Sequence, residues 1–329
     1  MHFTVLHISG VGFATPKNQI SNQLIAQLNP NFLLSHFENE SGVKTRYSAL
    51  TSSYLLETKN TQQSASFSNL EQNDLELAGQ AVNQAIVRAG ISLSDIGLVI
   101  GETSTPFQTI PSQAQRIAGH LGLKVKAYDV LAGAASPSLH LSTLCSWRQE
   151  RLPEYILLVY SNLPSVFIDY SVVTPTLARL SDAAAAVVIN TRSPAKLSLL
   201  SASSSSDVSA ASNDKIDMIG PLTLTSQLDS LIESKLEDVT KAVLTQFPRS
   251  TKRNYYVPSQ VAPNTIKKLA EISGFAGDEV LISAYGDSFS ASVFGPLSDH
   301  WDHLSSGDRI YMAFCGLGLQ FGHLVLEVA

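Results

Sequence analysis

The sequence has few cysteines and few charged residues, and this scarcity excludes several classes of protein. Its 329 residues include only Cys145 and Cys315, too few for a disulfide framework or a CxxC metal site, so we expect a reducing, cytoplasmic environment and no resident metal or cofactor. Charged residues are 15% of the chain, and the formal net charge is −6. Because binding of nucleic acid requires clustered cations, no nucleic-acid partner is expected.

Long apolar runs are also missing. No stretch of about 18 apolar residues occurs, so no membrane span is expected. The amino terminus lacks a basic segment and reaches Gly10 and Gly12 after a short apolar run, which is typical of a strand entering a turn and not of a signal peptide. A hydrophobic fraction of 44% over this length predicts about two folded units with substantial cores.

Helical and strand patterns alternate along the chain. Residues 71–90 have helical periodicity with an acidic start and a final glycine, and residues 96–105, 155–161 and 181–189 have the apolar or small-residue character of buried strands. The serine-rich segment 198–214 leaves two alternatives, a flexible linker or a strand followed by an exposed loop, and its leucines favour the strand. Similar alternation continues beyond it, which predicts a layered, pseudo-duplicated α/β protein.

Seven segments carry a resemblance to a known family along nearly the whole chain. In chain order they are SGVKTRYSA, VIGETSTPFQTIPSQAQRIAGHLG, AYDVLAGAASP, LSDAAAAVVI, VPSQVAPN, AYGDSFSAS and GDRIYMAFCGLGLQFG. Together they resemble the ketoacyl-ACP synthase III type of the thiolase-like superfamily. The resemblance implies a thiolase-like α/β fold, in which two pseudo-duplicated halves, residues 1–192 and 193–329, form a layered αβαβα core.

The resemblance also implies what chemistry the chain lacks. In the family, a cysteine thiolate takes an acyl group from CoA or acyl carrier protein, and a histidine and an asparagine bind the second thioester. The matching motifs place Ala134, Ser259 and Asp287 at these three positions. An alanine cannot form a thioester, a serine hydroxyl is no base near neutral pH, and a carboxylate repels an enolate. The scaffold is therefore expected to be catalytically degenerate.

Two further sets of residues extend the expected site. Ser136 is the alternative nucleophile, with His140 as a relocated base, although a helix cap is the simpler interpretation of this serine. Lys44 and Arg46 match the basic pair through which the family meets CoA or a phosphopantetheine carrier. Cys145 and Cys315 are expected to be structural, with Cys145 as a buried core thiol. The pair His300 and His303 is expected to lie on a solvated helix face and not to form a metal site.

The resemblance further implies a partner subunit. Phe107, Ile110 and Pro111 lie in a loop that corresponds to one crossing the family's dimer interface and closing the partner's acyl pocket, with Ile110 at the reaching position. The partner is expected to be an active synthase III-type paralogue or a second copy of this chain, and acyl carrier protein or acyl-CoA are expected ligands.

Three functions remain open from the sequence. The first is a non-catalytic subunit paired with an active paralogue in specialised-metabolite or fatty-acyl biosynthesis. The second is an acyltransferase or condensing enzyme with a rearranged site that uses Ser136, Ser259 or Asp287. The third is a protein that holds acyl chains or carrier protein without a partner enzyme.

Overall fold

Strands and helices alternate through the computed structural model, which describes residues 4–208, 221–224 and 226–329. The strands are β1 (His7–Ala14), β2 (Asn18–Ser21), β3 (Thr45–Ser48), β4 (Ile96–Glu102), β5 (Lys126–Asp129), β6 (Tyr155–Asn162), β7 (Ala183–Asn190), β8 (Leu197–Ser206), β9 (Asn254–Tyr256), β10 (Arg309–Cys315) and β11 (Gln320–Val328). The helices are α1 (Asn22–Leu28), α2 (Leu34–Ser41), α3 (Ser52–Thr58), α4 (Gln63–Ser66), α5 (Asp74–Ala89), α6 (Gln113–His120), α7 (Ser136–Ser146), α8 (Pro175–Ala178), α9 (Ser226–Gln246), α10 (Pro263–Ile272) and α11 (Phe294–His300).

The sheet consists of two halves with similar topology, and within the described residues the first has five strands and the second has four. Its order within the described residues is β5-β4-β6-β7-β1-β8-β11-β10-β9. In the first half β4 and β6 are parallel, whereas β6 with β7 and β7 with β1 are antiparallel. In the second half β9 and β10 are parallel, whereas β10 with β11 and β11 with β8 are antiparallel. The pseudo-duplication predicted from the sequence is therefore present, and β1 joins β8 where the halves meet.

Two helices lie in the interior between the two halves. One buried cluster joins Leu144 of α7 and Leu297 of α11 to Val187 in the first half of the sheet and Leu326 in the second. The opposite faces of the sheet are covered by outer helices, since the next residue in β7, Val188, belongs to a second cluster with side chains of α5 and α9. This arrangement is the αβαβα layering expected from the resemblance.

Most of the predicted elements are found close to their predicted bounds. The helix predicted over residues 71–90 is α5, which begins after an Asn73 capping box and ends at Gly90 in the left-handed conformation. The helix α6 begins at Gln113 after a capping box at Ser112. The boundary between residues 192 and 193 stays a prediction, and it falls in the connection between β7 and β8.

The serine-rich segment is a strand at its start. The linker alternative is wrong for Leu197–Ser206, which forms β8 and pairs with β11 along its length; residues 209–214 lie outside the described residues. No helix in the described part of the chain has the length and apolar character needed to cross a membrane.

A close approach between β1 and α5 gives a test of this packing. A Cβ atom added to Gly12 would lie 1.9 Å from the Ala81 carbonyl oxygen, so Gly12→Ala is expected to lower the free energy of unfolding by about 3 kcal/mol or more. Gly119→Ala is the matched control, because its Cβ would meet nothing within 4 Å and helix propensity favours alanine by about 0.5–1 kcal/mol. Urea denaturation measures both; equal effects would contradict the packing.

Candidate functional site

Ala134 lies in a buried turn at the entrance to the central helix α7. The turn Gly133–Ala135 is one 3-10 turn directly before α7, and the side chain of Ala134 is buried. Gly133 has φ +52°, in the region that favours glycine. A Cβ atom at Gly316 would lie 2.9 Å from the Ala134 amide nitrogen, so the loop after β10 abuts this turn.

Ser259 reaches the same loop from the other side. Its hydroxyl accepts a hydrogen bond from the Cys315 backbone N–H at 3.1 Å, and its own N–H donates to the Ala313 carbonyl at 2.8 Å. The side chain is buried. Ser259 therefore satisfies a buried backbone donor.

Asp287 is held by the backbone that follows it. Its Oδ1 accepts from the Phe289 N–H at 2.9 Å and from the Ser292 hydroxyl at 3.4 Å, so it caps the turn Phe289–Ala291. Burial raises the pKa of Asp287 to about 6, although the charge of Arg179 lowers it. The buried carboxylate therefore has one backbone and one hydroxyl partner.

The structure brings these three positions together. Ala134 and Ser259 border the same short segment, Cys315 and Gly316. The turn that Asp287 caps contacts the turn that contains Ala134. The three side chains offer a methyl group, a hydroxyl and a carboxylate, and the hydroxyl and the carboxylate are hydrogen-bonded to other partners and not to each other.

Ser136 and His140 do not form a dyad. The Ser136 hydroxyl accepts from the Ala132 N–H at 2.8 Å, and Nε2 of His140 lies 2.7 Å from the Val130 carbonyl oxygen. Ser136 is the first residue of α7 and Ala135 is its N-cap residue, so the serine lies in the first turn and is not the helix cap. Burial lowers the pKa of His140 to about 4, against the effect of its bond to Val130. The ring is therefore neutral at pH 7, and Nε2 carries the donated proton.

A buried carboxylate that the sequence analysis missed lies beside these turns. Glu102 ends β4 and is fully buried. Its Oε1 accepts from the Ser104 hydroxyl at 2.7 Å, and its Oε2 accepts from Asn162 Nδ2 at 3.1 Å and from the Ser290 hydroxyl. Burial raises the pKa of Glu102 to about 7, although these three donors lower it. The sequence signal for this buried group is one carboxylate at the end of an apolar strand.

Lys44 and Arg46, which were expected together at the entrance of a ligand site, have different environments in the structure. Lys44 is exposed, whereas Arg46 is 1% exposed. Arg46 Nη1 donates to the Ile20 carbonyl and to Asn22 Oδ1, and the guanidinium lies over the Phe37 ring. The expectation for Arg46 is wrong, because alternate residues of β3 face the interior and Arg46 lies on that face.

Comparisons with known proteins agree with this architecture, although no family model matches the chain. It is 25% identical over 308 residues to beta-ketoacyl-[acyl-carrier-protein] synthase III of Helicobacter hepaticus, covering 87% of each chain, and 26% identical over 279 residues to the Aliarcobacter butzleri protein of the same name, covering 77% of this chain and 83% of the other. Among solved structures, 3-oxoacyl-[acyl-carrier-protein] synthase III of Aquifex aeolicus has a TM-score of 0.83 at 23% identity over 98% of this chain and 99% of its own. The chain has the thiolase-like fold and is similar in sequence to ketoacyl synthase III proteins. OleA of Xanthomonas campestris has the same fold, with a TM-score of 0.81 at 18% identity over 99% of both chains.

The loop after β4 of this synthase III-like chain carries exposed apolar residues. Ile110 is 85% exposed and Pro111 is exposed beside it. Phe107 is half-buried; its ring meets Phe67 edge-on at 4.7 Å between centroids, and Arg116 lies over it. The base of the loop is rigidly held, whereas Ile110 projects into solvent.

The two cysteines are not activated thiols. Burial raises the pKa of Cys145 to about 11 and that of Cys315 to about 12. Cys145 lies on α7 and is only half-buried. It is therefore less buried than the core thiol expected from the sequence. The described residues hold no group of three or more His, Cys, Asp or Glu side chains suited to a metal ion.

Glu102 generates a prediction about pH. The carboxyl titrates near 4.5 when unperturbed and near 7 in the fold, so between these values the folded chain holds a proton that the unfolded chain lacks. The proton on Glu102 contributes up to about 3 kcal/mol to the free energy of unfolding below pH 4.5, and this contribution is lost as the pH rises to 7. Glu102→Gln, a neutral isostere, is expected to exceed the parent stability at pH 8 by about 1–3 kcal/mol and to match it near pH 4.5.

Urea unfolding at a series of pH values measures this difference. Glu57→Gln, at an exposed carboxylate of α3, is the matched control and should follow the parent at every pH. A Glu102→Gln curve parallel to the parent from pH 4.5 to 8 would show that the buried carboxylate does not carry the effect.

Proposed function

We propose that this chain is a non-catalytic subunit that pairs with an active synthase III-type paralogue in specialised-metabolite or fatty-acyl biosynthesis. The observation that carries the proposal is the proximity of the three positions without a paired nucleophile and base: Ala134 and Ser259 border one segment, and the turn after Asp287 contacts the turn of Ala134. The Ser259 and Ser136 hydroxyls each accept a hydrogen bond from a backbone N–H, and neither is bonded to a side chain that could act as a base. A rearranged serine enzyme lacks a base at either position.

A pairing surface adds support. β5 is an edge strand of the large sheet, and an edge strand presents unpaired N–H and C=O groups to a partner. Leu131, 62% exposed, follows this strand, and Ile110, 85% exposed, belongs to the loop beside it. A paralogue of the same fold would extend the sheet at β5 and receive the loop. The loop residues Phe107, Ile110 and Pro111 would then shape the partner's acyl pocket.

The complex that follows from this proposal has one working site. The partner supplies the acylated cysteine and takes thioesters from CoA or carrier protein, while this chain stabilises it and sets the shape of its acyl tunnel. A cytoplasmic location suits two free cysteines, which stay reduced there.

Intact-protein mass spectrometry tests the absence of chemistry. The chain, alone and mixed with a synthase III-type paralogue that has the Cys-His-Asn set, is incubated with acyl-CoA and acyl carrier protein thioesters. We expect no adduct on this chain, acylation of the paralogue, and a heterodimer by native mass. An acyl adduct that disappears in Ser136→Ala would instead establish the rearranged serine enzyme.

A substitution in the loop tests the interface. Ile110→Asp places a charge where the proposal buries an apolar side chain, so affinity for the paralogue is expected to fall about tenfold or more. Val87→Asp is the matched control, since Val87 is 70% exposed on α5, away from the loop and β5. Affinity is measured by analytical ultracentrifugation of the mixture. Equal losses for both variants, or none for Ile110→Asp, would contradict the proposed surface.

A further inference from the structure

Glu102 ties the loop between β4 and α6, residues 103–112, to the interior of the fold. Its Oε1 accepts from the Ser104 hydroxyl at 2.7 Å, and the Ser104 N–H donates to Asn162 Oδ1 at 2.6 Å. Asn162 Nδ2 donates in turn to Glu102 Oε2 at 3.1 Å. The three side chains therefore close a ring of hydrogen bonds at the base of the loop.

Beyond its base the loop has few hydrogen bonds. The Leu163 N–H donates to the Thr105 hydroxyl at 2.8 Å, and the Phe107 ring packs against Phe67. None of the backbone N–H groups of residues 107–110 has a hydrogen-bond partner among the described residues. Segments with few backbone hydrogen bonds open locally at low free energy. The hydrogen bonds around Glu102 are therefore the polar contacts that hold the first residues of the loop.

A strained turn binds the other side of the same carboxyl group. The Ser290 hydroxyl donates to Glu102 Oε2. Ser290 follows Phe289, whose φ of +54° is a conformation that a non-glycine residue keeps only where its surroundings hold it. Asp287 caps this turn by accepting from the Phe289 N–H at 2.9 Å. Glu102 therefore joins a loop with few hydrogen bonds to a turn under strain.

No cation in the described part of the chain offsets a negative charge on Glu102. Burial and the like charge of Asp129 raise the pKa of Glu102, and the three donors that lower it are all neutral. Asp129 is fixed at the far end of the same loop, where it accepts from the Gln113 and Ala114 N–H groups at 2.7 and 2.8 Å. Asp287, at the start of the strained turn, is a further carboxyl group that becomes negative when it ionises.

The other titratable groups packed around Glu102 do not compensate its charge. Tyr160 lies opposite it on β6, and burial together with the charge of Glu102 raises the pKa of Tyr160, so the hydroxyl stays neutral. The His140 ring that stacks on Tyr160 is also neutral at pH 7. On α6, Arg116 is paired with Asp74 at 2.6 Å. Ionisation of Glu102 therefore leaves an uncompensated charge in the interior.

We propose that Glu102 is a pH-dependent conformational switch for the loop of residues 103–112: the neutral carboxyl group holds the loop closed, as in this structure, and the ionised carboxylate favours an open loop in which water reaches it. In the closed state the Ser290 hydroxyl can accept the carboxyl proton, since a hydroxyl both accepts and donates, while Ser104 and Asn162 still donate to the two oxygens. On opening, the proton passes to water. The inference goes beyond the proposed function and concerns this chain alone.

The direction of the pH dependence follows from the two environments of the carboxyl group. It titrates near 4.5 when unperturbed and near 7 in the closed state, so the closed state binds its proton more tightly. The stabilisation of the closed loop by this proton is complete below pH 4.5 and is lost as the pH rises to 7. Between pH 6 and pH 8 the ratio of open to closed loop should therefore rise about tenfold.

Native-state hydrogen exchange of the full chain, resolved by mass spectrometry to the amides of Ser104 and Leu163, tests the switch. After correction for the intrinsic exchange rate, the protection of these two amides should fall about tenfold from pH 6 to pH 8. Because the opening is local, their exchange should not respond to a low concentration of urea, whereas amides of β7 that exchange through global unfolding should respond. Equal protection at both pH values, or a urea response like that of β7, would overturn the switch.

Variants assign the effect to residues. Glu102→Gln keeps the shape of the side chain and cannot ionise, so both amides should be equally protected at pH 6 and pH 8, whereas Glu57→Gln, at an exposed position of α3, should follow the parent. Ser104→Ala removes the bond between the loop and Glu102 and should lower the protection of Leu163 at pH 6 by about threefold or more without changing β7. A pH effect that persists in Glu102→Gln would overturn the proposal. These measurements include no partner and no thioester, so the proposed function is tested separately.

Discussion

The burial of α7 between the two halves of the sheet is the constraint on which the centre of the molecule depends. A helix that begins in the interior has backbone N–H groups that no water can reach, and its macrodipole concentrates positive potential there. That environment favours a thiolate where a cysteine is present. Here the turn before α7 carries Ala134, and the Ser136 hydroxyl accepts the Ala132 N–H instead. The position before the helix carries only a methyl group.

The fold does not depend on the residues at the candidate site, because different residues specify the two. Periodicity and caps of local sequence predicted α5, β7 and β8, and the order of motifs predicted the duplicated halves. Each of these signals is local or repeated, and small residues such as the alanines of β7 pack on both faces without polar partners. The identities of residues 134, 259 and 287 could be read from motif positions for the same reason. None of them changes the pattern that specifies the strands and helices.

Burial of single charged residues could not be predicted from the sequence. Arg46 and Lys44 occupy one short motif, yet only Lys44 is exposed, because the pairing of β2 with β3 fixes which face of β3 turns inward. Glu102 ends an apolar strand, and its donors are Ser104, Asn162 and Ser290, which lie up to 188 residues from it in the chain. Such a network depends on tertiary contacts that only the folded chain defines.

That network also connects the loop that carries Ile110 to the turns around Ala134. Glu102 ends β4, and Ser104, bonded to it, begins the loop that carries Ile110; the Ser104 N–H donates to Asn162 at 2.6 Å. Ser290, which also donates to Glu102, belongs to the turn that Asp287 caps. The base of the loop and the turn that contains Ser290 are therefore tied to one buried carboxylate by hydrogen bonds. A loop fixed at its base loses less entropy when it docks, so this network would favour the proposed pairing.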